Sequence, residues 1–425
     1  MNPLVRPAQL LVPMFVALQG GIRAAEPPPA AAPADDLFRR GAFAEAERAY
    51  ADAATVNPAD ADAHRRLGEI ALLSNRLDEA AQRLSRALAL RPGDERATAL
   101  LAETRYRQDR FADAAPLFRK IGRTAMADKL DSFRGDQPYR VLADAAVAEV
   151  AFALTDPLPV VRVSVNGKEP ANFIIDTGGA EVILDPEFAD AVGARRFGPE
   201  SGTFGGDKKA DYLHARVESL KLGGLAVENV PVHLLGTRRF AAAAAGQRID
   251  GILGTVLFYH FLTTLDYPNG RLILRTKAPT GDESAPGTHA IPFWVAGDHL
   301  MIAEGRPNDA EPCLMLVDTG LAGGGFTCPQ STLRAAAVDL ASSQSFDGVG
   351  GGGTVKVTPF VLDRLSLGAA RRQNIVSFFG AFPESLENGQ GFRICGLVSH
   401  GFFRPFAVTF DFRAMHIYLN DQGRQ

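Results

Sequence analysis

Phe173-Ile174-Ile175-Asp176-Thr177-Gly178 returns downstream as Leu314-Met315-Leu316-Val317-Asp318-Thr319-Gly320, and the reading of the rest of the chain depends on that pair. An aspartate that directly follows an apolar run and is followed at once by Thr-Gly sits where a buried strand ends in a tight turn. Such a carboxylate is half desolvated and rigidly aimed. Two of them face to face do not both ionise at close range, so one holds a proton while the other acts as a base. That is the chemistry of water-mediated amide hydrolysis. A single Asp-Thr-Gly also suits an ordinary strand-to-turn corner; the second copy is what gives the pair its weight.

The duplication extends beyond the triplets. Arg248-Ile249-Asp250-Gly251-Ile252-Leu253-Gly254, running on to Leu265-Asp266, parallels Arg393-Ile394-Cys395-Gly396-Leu397-Val398-Ser399, running on to Phe410-Asp411. The offsets are 393 − 248 = 145 and 411 − 266 = 145, against 318 − 176 = 142 between the two aspartates. A fixed internal offset across separate motifs marks a duplicated unit.

The order apolar strand, Asp-Thr-Gly, glycine-rich hairpin, apolar-apolar-Gly and a strand ending in Asp, given twice, resembles the pepsin and retropepsin aspartic proteases. The resemblance runs over roughly residues 145–420. Leu397-Val398-Ser399 through Phe402-Phe403-Arg404-Pro405-Phe406 and Val408-Thr409-Phe410-Asp411 looks particularly like the closing part of a pepsin C-terminal lobe. It implies an all-β, two-lobed protease domain, with lobe one over residues 140–280 and lobe two over residues 286–421. It also implies that Asp176 and Asp318 are catalytic and bind the lytic water between them. Thr177 and Thr319 would then bond across the lobe interface, while Gly178 and Gly320 supply the turns.

Thr203-Phe204-Gly205-Gly206-Asp207 through Tyr212 reads as a hairpin with a mobile tip, which in that family is the flap over substrate. Phe204, Gly205, Gly206 and Tyr212 are therefore the expected substrate-side residues, and a plain hairpin role for the two aromatics stands equally beside that one. Both aspartates lie in one chain, which implies an active monomer. Three positions depart from the pattern: Gly179 and Leu321 follow the two Asp-Thr-Gly triplets in place of a small hydroxyl or alanine, and Ser399 replaces a glycine. Without a hydroxyl donor to the charged aspartate, and with Leu321 adding desolvation, the pair is expected to keep its shared proton to higher pH. Ser399 is expected to fit with modest backbone strain.

The first part of the chain has a different texture. Residues 1–24 place Arg6 before an apolar core from Leu10 to Leu18, with small residues near Ala24, and read as a signal peptide. That core is too short to span a bilayer. Residues 25–35 are rich in Pro and Ala and read as a linker. From residue 36 to residue 135 the same residue types recur every 34 positions: Phe43, Leu77 and Phe111; Ala46, Ala80 and Ala114; Tyr50, Leu84 and Phe118. With Pro58 and Pro92 closing two units and Leu67-Gly68 inside one, the pattern resembles the tetratricopeptide repeat, an all-α solenoid. It offers a shallow concave surface for a protein partner, or a brace for the protease. Met126 to Phe133 is read as the cap, and Arg134-Gly135-Asp136-Gln137-Pro138 as the boundary. The repeats end before the first Asp-Thr-Gly, so they are expected to serve targeting rather than chemistry.

The 425 residues carry a net charge of −4, which gives no electrostatic case for nucleic acid. No later apolar run is long enough to span a membrane. Three cysteines, Cys313, Cys328 and Cys395, leave at least one unpaired within the chain, and Cys395 reads as a packed small residue. The eight histidines show no ligand spacing, so no metal and no cofactor is expected. Gly348 to Gly353 matches a dinucleotide-binding glycine spacing but opens no helix, and falls instead where lobe two's counterpart of the flap belongs. The expected protein is an exported, periplasmic or secreted aspartic endopeptidase acting on a peptide or protein. The alternative is a catalytically inactive peptide-binding module or an envelope scaffold.

Overall fold

The computed structural model describes residues 33–143, 145–276 and 288–421. The expected signal peptide, most of the expected linker and the segment joining the two lobes lie outside these residues.

Seven helices come first: α1 Pro33–Arg39, α2 Phe43–Val56, α3 Ala61–Leu73, α4 Leu77–Leu90, α5 Glu95–Arg107, α6 Phe111–Lys120 and α7 Thr124–Asp131. The 34-residue period is visible in their starts, since 77 − 43 = 34 and 111 − 77 = 34. Ala46, Ala80 and Ala114 are fully buried, and their lack of bulk lets neighbouring helices approach. Gly68 serves the same purpose, because a Cβ there would strike the Leu84 side chain. Asp60 and Asp94 cap α3 and α5 by accepting backbone N–H bonds, which explains why a helix restarts after each proline turn. α1 begins at Pro33, so the end of the segment read as linker 25–35 is helical.

The rest is β-rich and follows the duplication. A six-stranded antiparallel sheet joins its halves, in the spatial order Val147–Leu154, Arg271–Arg275, Leu262–Asp266, Phe406–Asp411, His416–Asp421 and Thr288–Ala296. At its centre Thr264 and Thr409 share a hydroxyl hydrogen bond of 2.7 Å, at the 145-residue offset of the motifs. In each half a parallel pair of strands lies under this sheet: Ala171–Ile175 beside Gly251–Leu253, and Cys313–Val317 beside Ile394–Val398. These strands are apolar on both faces because both faces are covered.

Cys313 and Cys395 are joined as a disulfide across the second of these pairs, which corrects the reading of Cys395 as a simply packed residue. Their strands run side by side with Leu314 opposite Ile394, bringing the two positions together. Cys328 is free and buried.

The helical repeats lie against both halves. Phe43 packs edge-on against Phe392 and Trp294, with ring centroids at 5.0 and 5.3 Å. Asn75 donates to the Phe412 carbonyl at 2.7 Å, and Arg107 donates to the Val295 carbonyl at 3.3 Å. After α7 the chain passes straight into Arg140–Ala143, a strand paired with Leu225–Leu234. No described helix is long and apolar enough to cross a membrane.

Candidate active site

Asp176 and Asp318 end equivalent strands. Phe173, Ile174 and Ile175 are fully buried, and the Asp176 amide then donates to the Leu253 carbonyl at 3.1 Å, extending the parallel pair by one residue. The Asp318 amide donates to the Val398 carbonyl at 3.0 Å in the same way. In each turn the glycine amide folds back onto the aspartate: Gly178 N–H donates to Asp176 Oδ1 at 2.9 Å and Gly320 N–H to Asp318 Oδ1 at 2.6 Å.

The two turns are locked together by their threonines. Thr177 N–H donates to Thr319 Oγ1 and Thr319 N–H to Thr177 Oγ1, both at 3.1 Å. Each hydroxyl then donates onward to the opposite strand, Thr177 to the Val317 carbonyl at 3.2 Å and Thr319 to the Ile175 carbonyl at 2.8 Å. Four reciprocal buried bonds leave the turns no freedom to separate. The glycines are obligatory here because of close approach: a Cβ on Gly178 would collide with the Asp318 carboxylate, and one on Gly320 with that of Asp176.

The carboxylates are almost fully buried, at 0% exposure for Asp176 and 1% for Asp318. Each has one oxygen held by a turn glycine, while Asp176 Oδ2 and Asp318 Oδ2 have no protein hydrogen-bond partner. Burial raises both above the usual carboxylate range. Asp318 stands well above it, because the Asp176 charge adds to the effect of burial. The Asp176 charge is favoured in turn by the neighbouring Asp318 carboxyl and by backbone amides.

The lobe-two departures are absorbed locally. Ser399 has φ −133° and ψ −171°, an extended backbone that any residue adopts, so the expected strain is not there. Its hydroxyl accepts the Leu321 N–H at 3.1 Å. Leu321 packs into a small cluster with Val355, Val357 and Phe378. At the place equivalent to Ser399 in lobe one, Gly254 is pressed against the carbonyls of Ala180 and Glu181, where a side chain has no room.

The hairpin of Arg195–Phe204 and Lys208–Leu222 turns at Gly205–Asp207 and reaches across to lobe two. Gly206 has φ 66° and donates its N–H to the Ala381 carbonyl at 3.0 Å. Asp207 accepts from the Ser385 N–H at 3.3 Å and from its hydroxyl. Phe204 and Tyr212 are both buried in a lobe-one cluster with Leu158, Ile174 and Phe240. The Tyr212 hydroxyl donates to Glu200 at 3.1 Å.

Two polar groups beside the aspartates went unnoticed in the sequence. Lys129 of α7 donates to both oxygens of Glu181, five residues beyond Asp176, and Tyr106 of α5 donates to the same carboxylate at 2.6 Å. The signal was a lysine on an otherwise apolar helix face, with Met126, Leu130 and Phe133. His299 is buried and bonded through Nδ1 to Asp298 Oδ1 at 2.6 Å. Nothing in the local sequence marked it.

Residues 161–257 match the family described as Aspartyl protease, and residues 32–95 and 71–129 match two families described as Tetratricopeptide repeat. The helical part of the chain thus matches tetratricopeptide repeat families, and part of the β-rich region that follows matches an aspartyl protease family. No curated protein matches it. Among solved structures it is similar to the aspartic proteinase from Irpex lacteus, at 10% identity and a TM-score of 0.42, over 65% of this chain and 97% of that one.

Proposed function

We propose that the protein is an aspartic endopeptidase in which Asp176 and Asp318 share one proton and activate a water between them. The observation that carries this reading is the reciprocal Thr177–Thr319 bonding, which fixes two carboxyl groups against each other with an unbonded oxygen on each. Ionised Asp176 takes a proton from water as it attacks the scissile carbonyl. Protonated Asp318 donates to the carbonyl oxygen; as the resulting diol collapses, the proton on Asp176 passes to the leaving nitrogen and one diol hydroxyl returns its proton to Asp318. Atoms and charge balance without a metal or cofactor. Because one chain supplies both groups, the active unit is a monomer. In our division the repeats span residues 36–135, lobe one residues 140–280 and lobe two residues 286–421, with Phe204, Gly205, Gly206 and Tyr212 forming the flap.

Export to an oxidising compartment, periplasmic or extracellular, is supported by the Cys313–Cys395 disulfide. The substrate is a peptide or protein. A partner protein on the outer face of the repeats fits their family, because the inner helices α3 and α5 already face the protease.

The burial of both aspartates, and the fastening of the hairpin to lobe two, favour a second reading, a closed module that holds a peptide without cutting it. Incubation of the full chain with a diverse peptide mixture at several pH values separates the two. Wild-type cleavage that disappears in Asp318→Asn supports the peptidase. Absence of cleavage at every pH by folded protein supports the closed module.

A further inference from the structure

The hairpin of Arg195–Phe204 and Lys208–Leu222 is built into the fold at one end only. From Leu213 to Leu222 its second arm pairs with Leu225–Leu234 and belongs to the body of lobe one. From Tyr212 to the tip that arm pairs with the first arm alone, beginning with Tyr212 opposite Glu200. Residues 201–211 therefore project from this rung with no third strand beside them among the described residues. The Glu200–Tyr212 rung is the hinge of the projecting part.

That hinge is held from outside. Glu200 accepts two bonds from Arg123, at 2.6 and 2.9 Å, and one from the Tyr212 hydroxyl at 3.1 Å, and it is bonded to His214 Nε2 at 2.7 Å. Burial opposes the Glu200 charge, but the bonds from His214 and Arg123 outweigh it and hold the carboxyl well below its usual range. Tyr212 and His214 belong to the hairpin, whereas Arg123 stands in the turn before α7. Its guanidinium lies over the Phe118 ring at 4.9 Å, so the repeats themselves fix its direction. Two further contacts follow α7 and the turn after it. A Cβ on Gly198 would strike Ala125, and Arg216 lies over the Phe133 ring at 4.2 Å while donating to Asp136 at 3.0 Å. At the far end the tip is bonded to lobe two through Ala381 and Ser385. Between hinge and tip, Phe204 packs in one cluster with Ile174 and Ala322, close in sequence to Asp176 and Asp318.

We propose that Arg123 is a positioning residue that locks the hinge of this hairpin, so that the repeats hold it shut and restrain the entry of a polypeptide. The proposal rests on the peptidase reading, in which the hairpin is the flap. Both aspartates are buried, so a chain has to displace part of the protein to reach them, and the hairpin is the segment with no third strand to hold it. A swing about the Glu200–Tyr212 rung draws Glu200 away from Arg123, whose own place is fixed. The forked, charge-assisted bond therefore stabilises the closed state alone. Apparent affinity falls in proportion to the open fraction, so the bond raises KM and leaves the chemical step as it is.

The test compares the full chain with its Arg123→Gln, Arg123→Lys and Arg119→Gln variants. Arg119 bonds Asp128 and Asp131 within the repeats and serves as the control. Backbone hydrogen exchange over residues 201–211 reads the hinge without reference to cleavage, and kcat and KM on one cleaved peptide read substrate entry. Arg123→Gln should speed that exchange by about tenfold and lower KM by a similar factor with kcat little changed. Arg123→Lys keeps the charge without the forked bond and should show a smaller shift of the same sign. Arg119→Gln should match wild type. Exchange that is unchanged in both Arg123 variants overturns the lock, whatever the activity. Faster exchange with an unchanged or raised KM overturns the restraint on entry and leaves the peptidase reading intact. Faster exchange confined to the Arg123 variants, with no cleavage by any of the four proteins, upholds the lock and overturns the peptidase reading instead.

Discussion

Lys129 of the last repeat helix donates to both carboxylate oxygens of Glu181, at 2.6 and 2.7 Å, and neither side chain is exposed. Glu181 follows Asp176 by five residues, so the repeat domain is tied by a buried ion pair to the segment that carries a candidate catalytic group. The repeats thus brace that segment structurally, whatever targeting role they also serve.

Lys129→Met leaves Glu181 buried with Tyr106, His233 and His214 near it. The cost is about 3–5 kcal/mol, the usual penalty for breaking a buried pair from one side. Denaturant unfolding at neutral pH measures it. The paired Glu181 is held down at about 2 although burial opposes this, with the Lys129 charge the main lowering influence. A depressed carboxylate contributes stability above its unfolded value and loses it as pH falls through the folded one. The stability gap between wild type and Lys129→Met should therefore narrow from about pH 4.5 down to about 2. A fragment starting at Val141 loses Lys129 and Tyr106 together and should unfold more readily than the full chain. A fragment as stable and active as the whole would show that the repeats are dispensable.

Asp318 gives the opposite sign. Its folded value is raised, so the stability it contributes is present below its unfolded value and lost as pH rises through the folded one. Asp318→Asn cannot ionise, and should stabilise the protein increasingly as pH rises beyond the usual carboxylate range, by about 1–2 kcal/mol, while abolishing cleavage. For activity, the upper limb of the pH profile reports loss of the shared proton. Burial moves that limb upward, and the optimum should fall in the mildly acidic to neutral range. An optimum in strong acid would contradict this.

The turn glycines make a sharper steric prediction. Gly178→Ala and Gly320→Ala each drive a methyl into the carboxylate of the opposite lobe. Each should abolish cleavage and cost about 1–3 kcal/mol through overpacking. Full activity in either variant would mean that the two turns do not approach as described.

The strands, the two aspartate turns and the helical period were legible because each rests on local rules: apolar runs ending in Asp-Thr-Gly, and small and bulky residues spaced by 34. The disulfide was not, since the proximity of Cys313 and Cys395 depends on a parallel pairing of strands far apart in sequence. The docking of the repeats was equally hidden. Phe43 fits a repeat consensus whether its exposed edge meets solvent or Phe392 and Trp294. Lys129 came nearest to a visible signal, a charge on an apolar face whose partner lies 52 residues away. The Arg195–Leu222 hairpin was legible, but the fastening of Asp207 to Ser385 joins residues 178 apart that share no motif.

Placement of both aspartates in one chain predicts that activity is not restored by complementation. Mixing purified Asp176→Asn with Asp318→Asn should give no cleavage. Recovery on mixing would require a site assembled between chains.

The most direct measurement is a double-mutant comparison on one cleaved peptide, with kcat/KM determined for Asp176→Asn, Asp318→Asn and the double variant, each verified as folded. Two groups sharing one proton and one water act as a unit, so the losses are not additive. Each single substitution should lower kcat/KM by at least about 10³-fold, and the double variant should be no worse than either. Substantial activity in one single variant, or losses that multiply in the double variant, would contradict a shared-proton pair.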